Sequence, residues 1–228
     1  MLTGKVMATV TVDMERARFN MIEQQIRPWE VLDPEVLAAL SVVKREDFVL
    51  PAHKLLAFAD LELPIGGGQT MLHPKMEARI LQEVGIRNTD VVLEVGAGSG
   101  YMAALLASRG EFVHTVDIDP ALADLARRNL RQARVVNVTV DTGDASEGWS
   151  SASPYDVIVI SGSLPRLPAT FLQQLRLGGR LFAFIGETPV MHAQLITRTA
   201  DKAFTTINLF ETVVAPLKRP RAQPGFVF

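Results

Sequence analysis

Three acidic residues stand at or just beyond the ends of three apolar runs, and their types and spacing could do chemistry. Glu94 precedes the glycine-rich stretch 96–100, Asp117 ends the next valine-rich run, and Asp144 follows the third. Ligands of open parallel sheets bind at the carboxyl ends of the strands, and a carboxylate about twenty residues beyond a glycine turn accepts from ribose hydroxyls. The pattern therefore predicts a nucleoside site along one sheet edge, with Asp144 placed for an adenine amino group.

The spacing of the glycines indicates which nucleoside cofactor the predicted site would bind. Gly96, Gly98 and Gly100 read G-x-G-x-G directly after the strand, whereas the dinucleotide pattern G-x-G-x-x-G/A begins only at Gly98. An acid before the first glycine is a poor neighbour for a pyrophosphate. It suits a ligand with ammonium, sulfonium and hydroxyl groups, so the stretch favours S-adenosylmethionine over a nicotinamide cofactor.

Composition and motifs argue against several other functions. The chain has no cysteine and four scattered histidines, so neither a disulfide nor a metal site is expected. No Gly-Lys-Ser/Thr motif is present, and Gly162-Ser163 does not form a nucleophile elbow. The formal net charge of −2 argues against nucleic acid and anionic membranes as partners. With no evident signal peptide, the expectation is a cytoplasmic protein, taken as a monomer.

The elements that must position these acids alternate along the chain. Helical spacing and caps predict N-terminal helices from Asp13 and Asp33, and a further helix closed by Gly85. Strands then alternate with helices, and the last two strands are joined by Asp201-Lys202. The predicted fold is α/β and doubly wound: a mostly parallel seven-stranded sheet with one reversed strand in a C-terminal hairpin, helices on both faces and an N-terminal helical extension. The seven predicted strands are 90–95, 111–116, 135–140, 155–160, 180–185, 192–199 and 203–210.

A run of three glycines, Gly66 to Gly68, lies just before the nucleotide-binding unit. Such a run has little side-chain mass and much conformational freedom, so it could be a linker or a loop that folds over the ligand. Apolar residues on both sides of the run favour the loop.

The sequence resembles class I S-adenosylmethionine-dependent methyltransferases and, more narrowly, the protein-L-isoaspartate O-methyltransferase family, from about residue 19 to about 217. The narrower resemblance rests on stretches that include a distinctive substrate loop. These are Leu63-Pro64-Ile65-Gly66-x-Gly68-Gln69-Thr70, Met21-Ile22-x-Gln24-x-Ile26-Arg27, Val43-x-Arg45-Glu46-x-Phe48-Val49, Gly143-Asp144 with Trp149, Pro154-Tyr155-Asp156, Leu177-x-Gly-Gly-Arg-Leu and Val214-Ala215-Pro216-Leu217.

The resemblance implies an enzyme that methylates the carboxylate of isoaspartyl residues in damaged proteins, with a peptide or protein as partner. It implies cofactor contacts from Glu94, Gly96, Gly98, Gly100, Asp117, Ile118, Asp144 and Ala145. It implies acceptor contacts from Ile65, Gly66, Leu72 and His73, with Thr70 orienting the acceptor. Residues 1–88 would be N-terminal helices and substrate loop, 89–217 the cofactor-binding core and 218–228 a tail, in one compact domain.

One residue of the substrate loop departs from the family. Leu72 stands where the family has a serine that binds at the reacting centre, so the expected turnover is slow unless Thr70, a backbone amide or His73 makes the missing contact. Two other functions stay open: the same fold and cofactor with a different acceptor, and a non-catalytic cofactor-binding protein. The apolar end Phe226-Val227-Phe228 is expected to dock on its own domain, with an intermolecular contact as the alternative.

Overall fold

The computed structural model describes residues 13–218, so the expectation for the end of the tail lies outside the described residues. The helices are α1 (Met14–Met21), α2 (Pro34–Val42), α3 (Pro74–Val84), α4 (Tyr101–Ala107), α5 (Pro120–Gln132) and α6 (Ala169–Gln173). A π-helical turn, Ile22–Ile26, extends α1, and 3₁₀ turns span Arg27–Trp29, Arg45–Asp47 and Pro51–Leu56. The strands are β1 (Leu63–Gly66), β2 (Gln69–Met71), β3 (Val91–Val95), β4 (Phe112–Asp117), β5 (Val138–Thr142), β6 (Tyr155–Leu164), β7 (Leu175–Glu187), β8 (Val190–Ala200) and β9 (Ala203–Thr212).

Seven strands form the main sheet in the order β5-β4-β3-β6-β7-β8-β9. The first five in this order are parallel neighbours, and β8 runs antiparallel to both β7 and β9. The predicted sheet with one reversed strand in a C-terminal hairpin is confirmed. Strand β3 lies inside the sheet between β4 and β6, and four of its five residues are buried, which explains why its sequence is a nearly continuous apolar run.

The N-terminal helices pack on the sheet through a shared hydrophobic core. Asp33 and Asp119 cap α2 and α5 by accepting from backbone amides, as their positions before Pro34 and Pro120 predict. Gly85 ends α3 in the left-handed conformation. No helix of the described residues is long and apolar enough to cross a membrane.

The structure refines one local expectation and corrects another. The three-glycine run is the tight turn of a short hairpin between β1 and β2, because Gly66, Gly67 and Gly68 all have positive φ. Strand β5 begins three residues later than predicted. The reason is that the Val135 amide donates to the carbonyl of Leu130, so this valine closes α5 instead of opening the strand.

Candidate active site

The main cleft lies at the carboxyl edge of the sheet, between the β1–β2 hairpin and the chain that follows β9. Of the acids predicted from the sequence, Asp117 and Asp144 line it, and so do Ile118 and Ala145. The full lining is Glu62, Ile65, Gln69, Thr70, Leu72, Val95, Gly96, Gly98, Val116, Asp117, Ile118, Leu122, Gly143, Asp144, Ala145, Ser146, Ser161, Gly162, Val214, Ala215, Pro216, Leu217 and Lys218.

Asp117 joins the glycine turn to the end of β4. Its Oδ2 accepts from the Gly98 amide at 2.9 Å, and its Oδ1 accepts from the Asp119 amide at 2.9 Å. Burial raises the pKa of Asp117, and the two amide hydrogen bonds oppose this shift. A carboxylate has about four lone-pair sites, so each oxygen keeps roughly one for a ligand.

The glycines of the turn serve two different purposes. Gly96 and Gly98 line the cleft with positive φ, and a side chain on Gly98 would meet Ile65 at 3.1 Å. Gly100 lies outside the cleft, where an added Cβ would lie 3.2 Å from the backbone of Ala126 in α5. Gly100 therefore allows close packing of α5 against the turn, whereas Gly96 and Gly98 leave room for a ligand.

Glu94 lies beneath the cleft and does not line it. Its carboxyl is buried and accepts from Thr115 Oγ1 at 2.6 Å and from Ser161 Oγ at 3.2 Å. Burial raises the pKa of Glu94 to about 8, against the two hydroxyl hydrogen bonds. Glu94 is therefore linked to the cleft by its hydrogen bond with Ser161, which lines the cleft. Its carboxyl is largely protonated at neutral pH.

We expect this proton to make stability depend on pH. Between the ordinary pKa of 4.5 and the raised value of about 8, the folded protein holds a proton on Glu94 that the unfolded chain has lost. The free energy of unfolding should therefore fall as pH rises, by at most about 1.4 kcal/mol per pH unit from this group. Glu94→Gln stays neutral and should lose this part of the decline. Denaturant unfolding of both proteins from pH 5 to 8 measures it, and equal slopes would contradict the assignment.

The residues predicted to contact the methyl acceptor do not all line the main cleft. Ile65, Thr70 and Leu72 line the main cleft, whereas Gly66 sits in the hairpin turn with open space around it. His73 lines a side cavity that adjoins the cleft. The Thr70 hydroxyl donates to Glu62 Oε2 at 3.0 Å, and the Leu72 carbonyl accepts from Arg45 Nη2 at 2.7 Å.

Reasoning from the sequence missed the wall built by the chain after β9. The Leu217 amide donates to Ser163 O, and a Cβ on Gly162 would lie 2.9 Å from the Leu217 backbone. Lys218 closes this wall by pairing with Asp119 at 2.8 Å, next to the hairpin turn. The stretch Val214 to Leu217 carried part of the resemblance, and that was its only signal. Across residues 13–218 no cluster of His, Asp or Glu has an arrangement that could hold a metal ion.

The chain is similar to known proteins in sequence and in fold. The family model described as Protein-L-isoaspartate(D-aspartate) O-methyltransferase (PCMT) matches residues 16–221. The chain is 40% identical over 204 residues to a protein-L-isoaspartate O-methyltransferase of Koribacter versatilis, covering 90% of each chain. It is 42% identical over 171 residues to one of Methanoculleus marisnigri, covering 75% of this chain and 78% of the relative.

A solved structure has the same fold. It is a putative protein-L-isoaspartate O-methyltransferase of Plasmodium falciparum in complex with S-adenosyl-L-homocysteine. The TM-score is 0.74 at 17% identity, over 91% of this chain and 99% of that one.

Proposed function

The chain belongs to the protein-L-isoaspartate O-methyltransferase family, and from this we propose how its cleft holds the cofactor and the acceptor. As a member of that family it is an enzyme that methylates isoaspartyl residues of proteins, with S-adenosylmethionine as methyl donor. When bound, S-adenosylmethionine supplies the methyl group of its sulfonium. The demethylated cofactor then leaves as a neutral thioether. The roles of this chain's residues follow from where their polar atoms lie.

We propose that Asp117 binds the ribose of the cofactor. The observation that carries this assignment is the position of its carboxylate. Its carboxylate is held rigidly by two backbone amides at the cleft wall, with an acceptor site left on each oxygen. Two vicinal hydroxyls match that geometry. Asp144 would accept from the adenine amino group, and Ile118 and Ala145 would pack against the base.

Gly96, Gly98 and Glu94 are assigned to the methionine end of the cofactor. The two glycines leave the wall free of side chains, so a ligand can approach the backbone closely. An ammonium group near Ser161 would stabilise the ionised form of Glu94, which is held 3.2 Å from that hydroxyl. Gly100 takes part indirectly by packing the turn onto α5.

The acceptor side is assigned to the hairpin and the residues after it: Ile65, Gly66, Thr70, Leu72 and His73. A carboxylate acceptor is ionised at pH 7, so the transfer needs no general base. The residues contribute alignment and exclusion of water, and apolar Ile65 and Leu72 suit that task. Residues 1–88 would form this side, 89–217 the cofactor-binding core and 218–228 a tail of one domain.

We further propose a cytoplasmic monomer that requires neither nucleic acid nor a membrane. The net charge of −2 supports this, since it would not attract an anionic polymer or surface. The chain also has no cysteine that would need an oxidising compartment.

Ligand-induced stabilisation tests the cofactor assignment. S-adenosylmethionine or S-adenosylhomocysteine at 100 times its Kd should stabilise the protein by about 2.7 kcal/mol, visible as a rise in Tm. NAD should give no shift, because the glycines directly after β3 read G-x-G-x-G and not the dinucleotide pattern G-x-G-x-x-G/A. A shift with NAD and none with the two sulfur nucleosides would overturn the assignment.

A further inference from the structure

A groove leads from the acceptor side of the main cleft toward the edge of the sheet. A side cavity of about 210 Å³ shares Glu62, Leu72 and Val214 with the main cleft. Trp29 lines this side cavity and also an outer pocket of about 250 Å³, whose wall includes Phe210 of the edge strand β9. The cleft, the side cavity and the outer pocket therefore follow one another along the surface, and Trp29 stands between the last two.

The loop that carries Trp29 is held in one shape by helix α3. Arg79 Nη1 donates to the carbonyl of Trp29 at 3.1 Å, and Gln82 Nε2 donates to the carbonyl of Glu30 at 2.9 Å. Gln82 Oε1 accepts from the amides of residues 32 and 33 at 2.8 and 3.1 Å. Glu30 has a φ of 61°, a conformation that a residue other than glycine keeps only when its surroundings hold it. Because α3 begins directly after the proposed acceptor residues, it fixes the indole ring relative to the cleft.

The two aromatic rings of the groove pack on the core and keep part of their surface open. The ring centres of Trp29 and Phe210 are 5.4 Å apart in an edge-to-face contact. Lys75 Nζ lies 4.9 Å from the centre of the Trp29 ring, and the Arg79 guanidinium lies 5.7 Å from the centre of the Phe210 ring. Both aromatic side chains are only partly buried, so a ligand can still pack against them.

The charges around the rings favour an uncharged side chain as the ligand. Lys75 Nζ donates to Asp60 at 2.6 Å and Arg79 Nε donates to Glu83 at 2.6 Å, so each cation already has a carboxylate partner. The acid of the outer pocket, Glu30, lies 3.5 Å from Arg79. A lysine or arginine of a ligand would be repelled by the two cations that lie against the rings. A large apolar side chain avoids that repulsion and gains by leaving water.

We propose that Trp29 and Phe210 form a subsite for an aromatic or large aliphatic side chain of the substrate polypeptide, a few residues from the isoaspartyl residue. The inference rests on the proposed function, because a carboxylate placed in the main cleft brings the flanking chain to the side cavity. The subsite binds only this flank and takes no part in methyl transfer. It makes the enzyme choose among damaged sites by the sequence beside them.

A set of isoaspartyl peptides tests the subsite by kinetics. One phenylalanine is moved through the positions on either side of the isoaspartyl residue, and alanine replaces it in the reference peptide. At one position it should raise kcat/KM by roughly 10-fold or more, as burial of a large apolar side chain predicts. Trp29→Ala and Phe210→Ala should lose most of this preference, measured as the ratio between the two peptides. Phe19→Ala removes a side chain that is 62% exposed on α1, outside the groove, and should keep the preference.

Tryptophan fluorescence measures binding at the subsite without catalysis. The chain has two tryptophans, so in Trp149→Phe the emission comes from Trp29 alone. With S-adenosylhomocysteine present, the peptide that carries the preferred phenylalanine should shift this emission to shorter wavelength, because the covered ring loses contact with water. The alanine peptide should need roughly 10-fold more for the same shift. Absence of a shift at peptide concentrations that saturate turnover would contradict the proposal.

The outcomes separate this inference from the proposed function. If the native enzyme methylates isoaspartyl peptides equally well wherever the phenylalanine stands, the inference is wrong while the function stands. If a protein that binds S-adenosylhomocysteine methylates no isoaspartyl peptide, the proposed function fails and this inference fails with it. A shift that appears only after removal of residues 219–228 would assign the subsite to the tail. Emission that changes with protein concentration alone would assign it to a second copy of the chain, and either result would overturn the proposal.

Discussion

Asp117→Ala should weaken binding of S-adenosylmethionine by roughly 10²- to 10⁴-fold. Two hydrogen bonds from ribose hydroxyls to a charged group are lost, each worth about 1.5–3 kcal/mol. Isothermal titration with S-adenosylhomocysteine measures the change in Kd directly. Asp141→Ala is a matched control, since Asp141 precedes the end of the neighbouring strand β5 and does not line the cleft.

The same substitution has a second effect that must be measured separately. Asp117 also holds the amides of Gly98 and Asp119, so its removal loosens the glycine turn in the free protein. Unfolding without ligand reports that loss, and titration reports the loss of affinity. An unchanged Kd in a folded Asp117→Ala protein would show that the ribose binds elsewhere.

Glu77→Ala should destabilise the folded protein by about 3–5 kcal/mol, because it leaves a buried guanidinium without its partner. Arg45 is fully buried, pairs with Glu77 and lies 5.1 Å from the centre of the Tyr101 ring. Burial lowers the pKa of Arg45 to about 10, although interaction with Tyr101 raises it, so the group stays charged at neutral pH.

Two variants show whether the lone charge is the cause. Glu35→Ala removes a partner from the exposed pair with Arg109 and should cost about 1 kcal/mol or less. The double variant Arg45→Met/Glu77→Leu removes both charges and should recover part of the stability that Glu77→Ala loses. A double variant no more stable than Glu77→Ala would mean that packing, and not the unpaired charge, dominates.

Arg45 also connects this stability to the site. It donates to the carbonyl of Leu72, which follows β2 and lines the main cleft. Disruption of the pair with Glu77 should therefore loosen the acceptor side before it affects the cofactor side. We expect Glu77→Ala to raise KM for the peptide more than Kd for the cofactor.

The sequence predicted well what depends on local pattern. The apolar run before Gly96 predicted a buried parallel strand, and Asp33 and Asp119 predicted helix starts, because capping depends on adjacent residues. The C-terminal hairpin followed from the two-residue connection at Asp201-Lys202. The strand ends also placed Asp117 and Asp144 at one edge, because parallel strands share that edge.

Other features depend on contacts between distant segments, which no local pattern specifies. Glu94 was expected to face the ligand, but its side chain lies between Thr115 and Ser161 beneath the cleft. The pairs Arg45–Glu77 and Asp60–His73 join segments that the sequence gives no reason to match. The glycine run suggested a backbone with much conformational freedom. Only the pairing of β1 with β2 shows that the run makes a tight turn.

Transfer of labelled methyl from S-adenosylmethionine to an isoaspartyl peptide, with the normal aspartyl peptide as its control, tests the central claim most directly. Both peptides carry an ionised carboxylate, and they differ in the path of the backbone next to it. The enzyme must therefore distinguish the two peptides by how the carboxylate is aligned in the cleft. We predict base-labile methyl ester on the isoaspartyl peptide and none above background on the aspartyl one. Equal labelling of both, or of neither by a protein that binds S-adenosylhomocysteine, would contradict the account.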